Sequence, residues 1–92
     1  MDFEYDPHKS EANRAKHGID FEEAKAFWRD ENAVTIRVRV EPEARFARIA
    51  KLGSKAWTTI FTMRGDNVRI ISSRRARRGE VRLYEERQSK DN

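Results

Sequence analysis

The sequence contains no cysteine, only two prolines and four glycines, and no long run of apolar residues. The lack of cysteine excludes disulfides, thiol catalysis and cysteine-ligated zinc, and it suits a reducing compartment. Because no apolar run lies near the start, we expect neither a signal peptide nor a membrane-spanning helix. These absences favour a soluble protein of the cytoplasm.

The residues that are present favour one small folded domain, spanning residues 1–92. The chain is 39% charged and 37% hydrophobic, and its hydrophobic residues are clustered, which disfavours disorder. Residues 1–43 hold 7 Lys/Arg and 11 Asp/Glu, whereas residues 44–92 hold 13 and 5. A basic half is typical of proteins that bind nucleic acid or an acidic protein segment, and a solvated face without a partner is the alternative.

Two helices are predicted near the N-terminus. Asp6 and Pro7 are typical of a helix start and Gly18 of a helix end, which predicts a first helix between them. Asp20 and Glu23 have the spacing of a capping box, so a second helix is predicted within DFEEAKAFWRD.

Strand-like segments fill most of the remaining chain: VTIRVRV, RFARIAKL, AWTTIFTM and NVRIISS. The short connections GSK and RGD predict antiparallel hairpins, and FEY can form a short opening strand. A last helix is expected from about Gly79 to Gln88, with a tail after about residue 88 that frays. This order predicts an α+β domain in which an antiparallel sheet of about four strands packs two N-terminal helices and one C-terminal helix on one face.

The first of these strand segments alternates cleanly between apolar and polar residues. Its apolar residues share one face, which we expect to be half-buried against the core: Val34, Ile36, Val38 and Val40. Pro42 is expected to end the strand.

Four arginines crowd the region before the last helix: Arg74, Arg75, Arg77 and Arg78. Such charges repel one another, and cations at a helix N-terminus oppose the helix dipole. A bound phosphate would offset both costs, because helix N–H groups and guanidinium groups bind anions. The alternatives are solvated side chains, or neutralisation on the helix surface by nearby glutamates: Glu80, Glu85 and Glu86.

The segments FEYDPHKSEANRAKHGIDFEEA, FTMRGDNVRIISSRRA and YEE resemble the BrnT family of toxins from type II toxin–antitoxin systems. The resemblance extends from Phe3 to Glu86. It implies a RelE-like fold and a ribonuclease that cleaves RNA and inhibits translation. It also implies a BrnA-like antitoxin with a ribbon-helix-helix part, forming a heteromeric complex with the toxin that binds operator DNA. Many relatives have a glutamate where this chain has Met63, so the base of the reaction stays open.

RNA cleavage without a metal or cofactor needs a base, an acid and cations that stabilise the phosphorane. His17 is a candidate acid or base, although it also suits the end of a helix. Arg64 and Arg74 are candidate catalytic cations. Tyr84 can supply a hydroxyl, or its ring can pack on the sheet.

Further basic side chains are candidates for RNA binding: Lys16, Arg69, Arg75, Arg77 and Arg78. If the strands around the Gly65-Asp66 turn pair, Arg64, Arg69 and Arg74 can project toward one patch. Strand alternation puts Arg74 and Arg75 on opposite faces, so we expect one of the two in the site. A non-catalytic basic module that binds nucleic acid or protein is the alternative function.

Overall fold

The computed structural model describes residues 1–90 as one sheet with helices on both faces. The elements follow one another as β1 (Phe3–Glu4), α1 (Pro7–His17), α2 (Phe21–Ala24), a 3₁₀ helix (Lys25–Arg29), β2 (Val34–Arg39), β3 (Arg45–Leu52), β4 (Lys55–Arg64), β5 (Asn67–Arg75) and α3 (Arg78–Lys90). Helix α3 continues two residues beyond the predicted end, and the rest of the predicted tail lies outside the described residues. Within residues 1–90, no helix has the length and apolar composition needed to cross a membrane.

Helix α1 begins and ends where the sequence predicts. The Asp6 side chain accepts a hydrogen bond of 2.8 Å from the His8 amide, and Pro7 occupies the first turn. Gly18 has a φ of 82°, and its N–H donates to the Arg14 carbonyl at 2.9 Å. This left-handed conformation is one that glycine adopts without steric cost.

The predicted second helix changes type partway along. Its capping box is present, since the Glu23 N–H donates to Asp20 at 2.8 Å and the Asp20 N–H donates to Glu23 at 3.1 Å. The α-helical part covers only Phe21–Ala24, and the chain then tightens into the 3₁₀ helix. The predicted helix is therefore confirmed at its start.

The sheet has five strands in the order β1-β5-β4-β3-β2. Strands β2 to β5 form an antiparallel meander, whereas β1 pairs in parallel with β5 through Phe3 opposite Val68 and Glu4 opposite Arg69. The expected α+β class is confirmed. The expected antiparallel sheet of about four strands is wrong, because the opening strand joins the far edge of the sheet.

The main core lies on the face that α1, α2 and the 3₁₀ helix cover. It consists of Ile19, Phe21, Ala24, Phe27, Ala50, Trp57, Phe61, Val68 and Ile70. Helix α3 packs on the opposite face, where Glu80 contacts the side chains of Thr58 and Arg74. The expectation that all helices share one face is therefore wrong.

Strand β2 forms one edge of the sheet and is buried only at its start. Val34 is buried and Ile36 is half-buried, as expected. Val38 lies at a register shift and is 51% exposed, and Val40 lies beyond the strand and is 64% exposed. The expected apolar face is thus covered only at Val34 and Ile36. The two later valines are exposed because a bulge ends the regular pairing of β2 with β3.

Candidate active site

A buried asparagine joins helix α1 to strand β5. The Asn13 side-chain amide donates to the Ser73 carbonyl at 2.8 Å and to the Ile19 carbonyl at 2.7 Å. The Ser73 N–H donates back to Asn13 Oδ1 at 3.1 Å. The side-chain hydroxyl of Ser73 shares a hydrogen bond of 2.9 Å with the hydroxyl of Thr59 on β4. These buried hydrogen bonds fix how α1 lies on β5.

This contact brings the last turn of α1 to the end of β5. His17 follows Asn13 by one helical turn, about 6 Å along the helix axis. Arg75 follows Ser73 by two residues, about 7 Å along the strand. Helix α1 runs in the same direction as β5, because Glu4 pairs with Arg69 and Asn13, later in the chain, contacts Ser73 four residues beyond Arg69. The sequence-predicted site residues that follow Asn13 and Ser73 therefore lie toward the same end of the molecule. We name this surface, defined by Lys16, His17, Arg75, Arg77 and Arg78, the basic end.

Arg75 is held by an aromatic ring and remains open to solvent. Its guanidinium carbon lies 5.5 Å from the centroid of the Trp57 ring, and that ring stacks on Phe27 at 6.2 Å. The Arg75 side chain is exposed. Cation–π contact orients a guanidinium group while its N–H groups stay available, so Arg75 can bind a phosphate.

The next two arginines of the basic end, Arg77 and Arg78, are exposed at the start of α3. The Ala76 N–H donates to the Ala56 carbonyl at 2.9 Å, which extends the sheet pairing past Arg75. Within residues 1–90, no carboxylate forms a salt bridge with Arg75, Arg77 or Arg78. Three cations are therefore available there for an anionic ligand.

A cavity of about 390 Å³ lies beside the first two turns of α3. It is lined by Ala76, Arg78, Val81, Arg82 and Glu85. The cavity adjoins the basic end through Arg78. Its lining combines two apolar side chains with two guanidinium groups and one carboxylate.

Arg74 differs from the neighbouring arginines because it is paired and partly buried. Its Nη1 lies 2.8 Å from Glu80 Oε1, and its Nη2 lies 2.9 Å from Glu80 Oε2. Side-chain exposure is 23% for Arg74 and 19% for Glu80. Arg74 pairs with Thr58 in the ladder and Arg75 with Trp57, so the two arginines occupy opposite faces.

The electrostatics of Glu80 follow from these contacts. The Arg74 guanidinium holds the pKa of Glu80 at about 2, below the ordinary 4.5, although burial acts in the opposite direction. The Arg77 amide and the Thr58 hydroxyl also donate to this carboxylate and contribute to its low pKa. The hydrogen bond to Glu80 raises the pKa of Arg74 in turn.

The remaining arginine candidates lie away from the basic end. Arg64 pairs with Asn67 at the turn of the β4–β5 hairpin, seven residues and about 23 Å along the strand from Trp57. Arg69 lies between these ends and forms a salt bridge of 3.3 Å with Glu4. Arg64, Arg69 and Arg74 therefore do not form the expected single patch.

A bulge in β5 changes which residues share a face. Ile70 pairs with Phe61 and Ser72 pairs with Ile60, so Ile71 is the extra residue. Regular alternation would place Ser72 on the face of Ile70. The bulge places Ser73 there instead, and Arg75 follows it onto the face that α1 covers.

Tyr84 anchors helix α3 to the loop before β2. It is 6% exposed, and its hydroxyl donates to Asp30 Oδ2 at 2.9 Å. Burial and the hydrogen bond to the Asp30 carboxylate together raise the pKa of Tyr84 to about 12. Burial acts to raise the pKa of Asp30 too, but donors that include the Lys51 amide lower it below its ordinary value. Both the hydroxyl and the ring of Tyr84 are thus engaged within the fold.

Asn13, Asp30 and Glu80 organise this region. The sequence did not single out Asn13 or Asp30, whereas it offered Glu80 as a possible counterion of the crowded arginines, and Glu80 does pair with Arg74. Glu80 follows Arg77 by three residues, which is the spacing of a capping box. This spacing is the feature of the sequence that could have predicted the bond from the Arg77 amide to Glu80. The described residues contain no group of three or more His, Asp or Glu that could hold a metal ion.

The chain matches the model of a known protein family. The model of the BrnT family, described as the ribonuclease toxin of a type II toxin–antitoxin system, matches residues 5–80. This match covers most of the chain. The chain belongs to the BrnT family. The resemblance noted in the sequence is thereby confirmed, and with it the class of ribonuclease toxin that BrnT proteins represent. No curated protein sequence matches the chain.

Proposed function

We propose that this BrnT protein is a metal-independent endoribonuclease whose basic end cleaves RNA and thereby inhibits translation. The observation that carries the proposal is the Asn13–Ser73 contact, because it brings the helix end with His17 to the strand end with Arg75. A proton-transfer group beside fixed cations is what phosphodiester cleavage requires. Membership of a ribonuclease toxin family supports the same reaction.

In the proposed reaction, a ribose 2′-oxygen attacks the adjacent phosphorus and the bond from phosphorus to the 5′-oxygen breaks. The 2′-hydroxyl gives its proton to a base, and the leaving 5′-oxygen takes one from an acid. We assign one of these transfers to His17. Arg75 stabilises the negative charge that builds on the phosphorane oxygens. The products are a 2′,3′-cyclic phosphate and a 5′-hydroxyl.

The other side chains of the basic end bind the flanking phosphates in this proposal. Lys16, Arg77 and Arg78 are exposed and can each reach a backbone phosphate of single-stranded RNA. Arg64, Arg69 and Tyr84 were candidates from sequence. Because they lie outside the basic end, we assign them no contact with the scissile phosphate.

The proposal extends to a protein partner and to regulation. A BrnA-like antitoxin with a ribbon-helix-helix part would neutralise the protein in the cytoplasm, and their complex would bind operator DNA. An acidic segment of the antitoxin fits the three exposed arginines of the basic end. The RelE-like description of the fold belongs to this proposal as well. Co-purification with a ribbon-helix-helix protein encoded beside this gene tests the partnership.

The reaction is tested by incubating the purified protein with end-labelled RNA in EDTA. We expect cleavage that leaves 2′,3′-cyclic phosphate ends and disappears when the cleaved position carries a 2′-deoxyribose. RNA that is retarded in a gel but stays intact would instead support the non-catalytic binding module, which the exposed arginines also suit. RNA that is neither cut nor retarded would contradict both functions.

A further inference from the structure

Glu80 has no part in the proposed reaction, yet three groups from different parts of the chain meet at its carboxylate. Oε1 accepts from Arg74 Nη1 at 2.8 Å, from the Arg77 amide at 2.7 Å and from the Thr58 hydroxyl at 3.0 Å. Oε2 accepts from Arg74 Nη2 at 2.9 Å. Strands β4 and β5 and the start of α3 therefore converge on this one side chain.

The first consequence concerns the charge of Arg74. Both of its terminal nitrogens donate to Glu80, and Nη1 also lies 3.3 Å from the Arg75 carbonyl. A phosphate could bind Arg74 only by displacing Glu80, which would leave a partly buried carboxylate without its cation. The charge of Arg74 is thus neutralised inside the protein, in contrast to that of Arg75.

The second consequence concerns the start of α3. The Glu80 carboxylate bonds the amide of Arg77, three residues earlier, as the acidic residue of a capping box does. A carboxylate in the first turn also interacts favourably with the helix dipole, which the arginines there oppose. Glu80 therefore fixes where the helix begins and, with it, the positions of Arg77 and Arg78.

We propose that Glu80 is a positioning residue that selects which arginines meet RNA. It withholds Arg74 from the ligand and holds Arg77 and Arg78 at the start of α3 for phosphate contact. This inference rests on the proposed RNA binding. It explains how four neighbouring arginines coexist, since one of them has an internal counterion.

The test is the salt dependence of binding to a single-stranded 2′-O-methyl RNA, which the proposed reaction cannot cleave. Each phosphate contact contributes about 0.7 to the slope of log affinity against log salt. The variants are Arg74→Gln, Glu80→Gln and the double variant, with Glu86→Gln as control. Glu86 is exposed on the same helix, so its substitution raises the net charge equally without releasing Arg74.

We expect Arg74→Gln to keep the slope of the parent, because Arg74 makes no phosphate contact. Glu80→Gln should steepen the slope by about 0.7, because the glutamine oxygen can still accept from Arg77 and Thr58 while Arg74 is released. The double variant and Glu86→Gln should match the parent. This pattern would not arise from a role in stability alone.

A slope that falls by about 0.7 in Arg74→Gln would overturn the inference, as would a folded Glu80→Gln protein that behaves like Glu86→Gln. Melting curves identify a variant that does not fold. If Glu80→Gln is such a variant, Arg74→Gln and the double variant decide the question. A parent that does not bind RNA would overturn the proposed function together with this inference, whereas the first two results would overturn the inference alone.

Discussion

Asn13 and Ser73 are 60 residues apart in sequence, and the side chain of one pairs with the backbone of the other as a neighbouring strand would. Strand β1 pairs with β5 only at Val68 and Arg69, so it ends before Ser73. The Asn13 amide continues the pairing by donating to the Ser73 carbonyl and accepting from its N–H. A helix side chain thus completes the sheet edge and sets the geometry of the basic end.

Replacing Asn13 by alanine should lower the free energy of unfolding by about 2–4 kcal/mol, since buried backbone groups at Ser73 and Ile19 lose their partners. Asn13→Asp should cost a similar amount, because a carboxylate accepts from the Ser73 N–H but cannot donate to either carbonyl. Urea unfolding followed by circular dichroism measures both. Glu11→Ala, at an exposed position of α1, is the control and should change stability by less than about 0.5 kcal/mol. An Asn13→Ala protein as stable as this control would show that the contact contributes little.

The ion pair of Glu80 predicts a specific sensitivity to acid. Because the pKa of Glu80 is about 2 in the folded protein and ordinarily 4.5, its contribution to stability is complete above about pH 4.5 and is lost as the pH falls toward 2. After allowance for solvent screening, this contribution is about 1–2 kcal/mol. The difference in unfolding free energy between the parent and Glu80→Gln should therefore shrink across this range. A difference that stays constant from pH 5 to pH 2.5 would contradict the pairing.

Tyr84 should stabilise α3 without taking part in cleavage. Tyr84→Phe removes the hydrogen bond to Asp30 and should cost about 1 kcal/mol near neutral pH. Because the pKa of Tyr84 is raised to about 12 from 10.0, its contribution is present below pH 10 and is lost as the pH rises toward 12. Tyr84→Phe should not show this loss of stability between pH 10 and pH 12. It should cleave RNA at nearly the parental rate. A folded variant with greatly reduced cleavage would instead support the hydroxyl as an acid.

The exposed arginines at the start of α3 should matter for binding more than for stability. Changing Arg77 and Arg78 to glutamine should leave the free protein equally stable, or more stable by a few tenths of a kcal/mol each, because cations oppose the dipole there. Affinity for RNA should fall, and the salt slope should decrease by about 0.7 for each residue. Arg87→Gln is the control, because near the end of α3 a cation is favourable and its loss should lower the melting temperature slightly. A double variant that melts well below the parent and binds RNA equally tightly would show that these arginines are structural.

The features that the sequence predicted correctly depend on residues a few positions apart. Asp6 and Gly18 bound α1 because a cap needs only the adjacent turn of backbone. The Asp20–Glu23 capping box was readable for the same reason. The short GSK and RGD connections likewise fixed the β3–β4 and β4–β5 hairpins.

The features that the sequence did not reveal depend on distant residues or on irregular backbone. The parallel pairing of Phe3 with Val68 joins segments 65 residues apart, and no local pattern specifies it. The bulge at Ile71 reverses the alternation from which the faces of β5 were inferred. The pairing of Glu80 with Arg74 depends on how α3 folds back over the sheet. The sequence therefore could not tell which of the four arginines forms an ion pair and which are available to a ligand.

The most direct measurement is the single-turnover rate of RNA cleavage by His17→Ala, Arg75→Gln and Arg64→Gln, each shown to be folded by its melting curve. If the basic end is the site, His17→Ala and Arg75→Gln should each cleave at least about 100-fold more slowly than the parent. Arg64→Gln, at the far end of the hairpin, should stay within about twofold of the parent, because a surface charge about 23 Å away contributes little at physiological salt. Parental rates in folded His17→Ala and Arg75→Gln proteins would contradict the assignment of the site to the basic end.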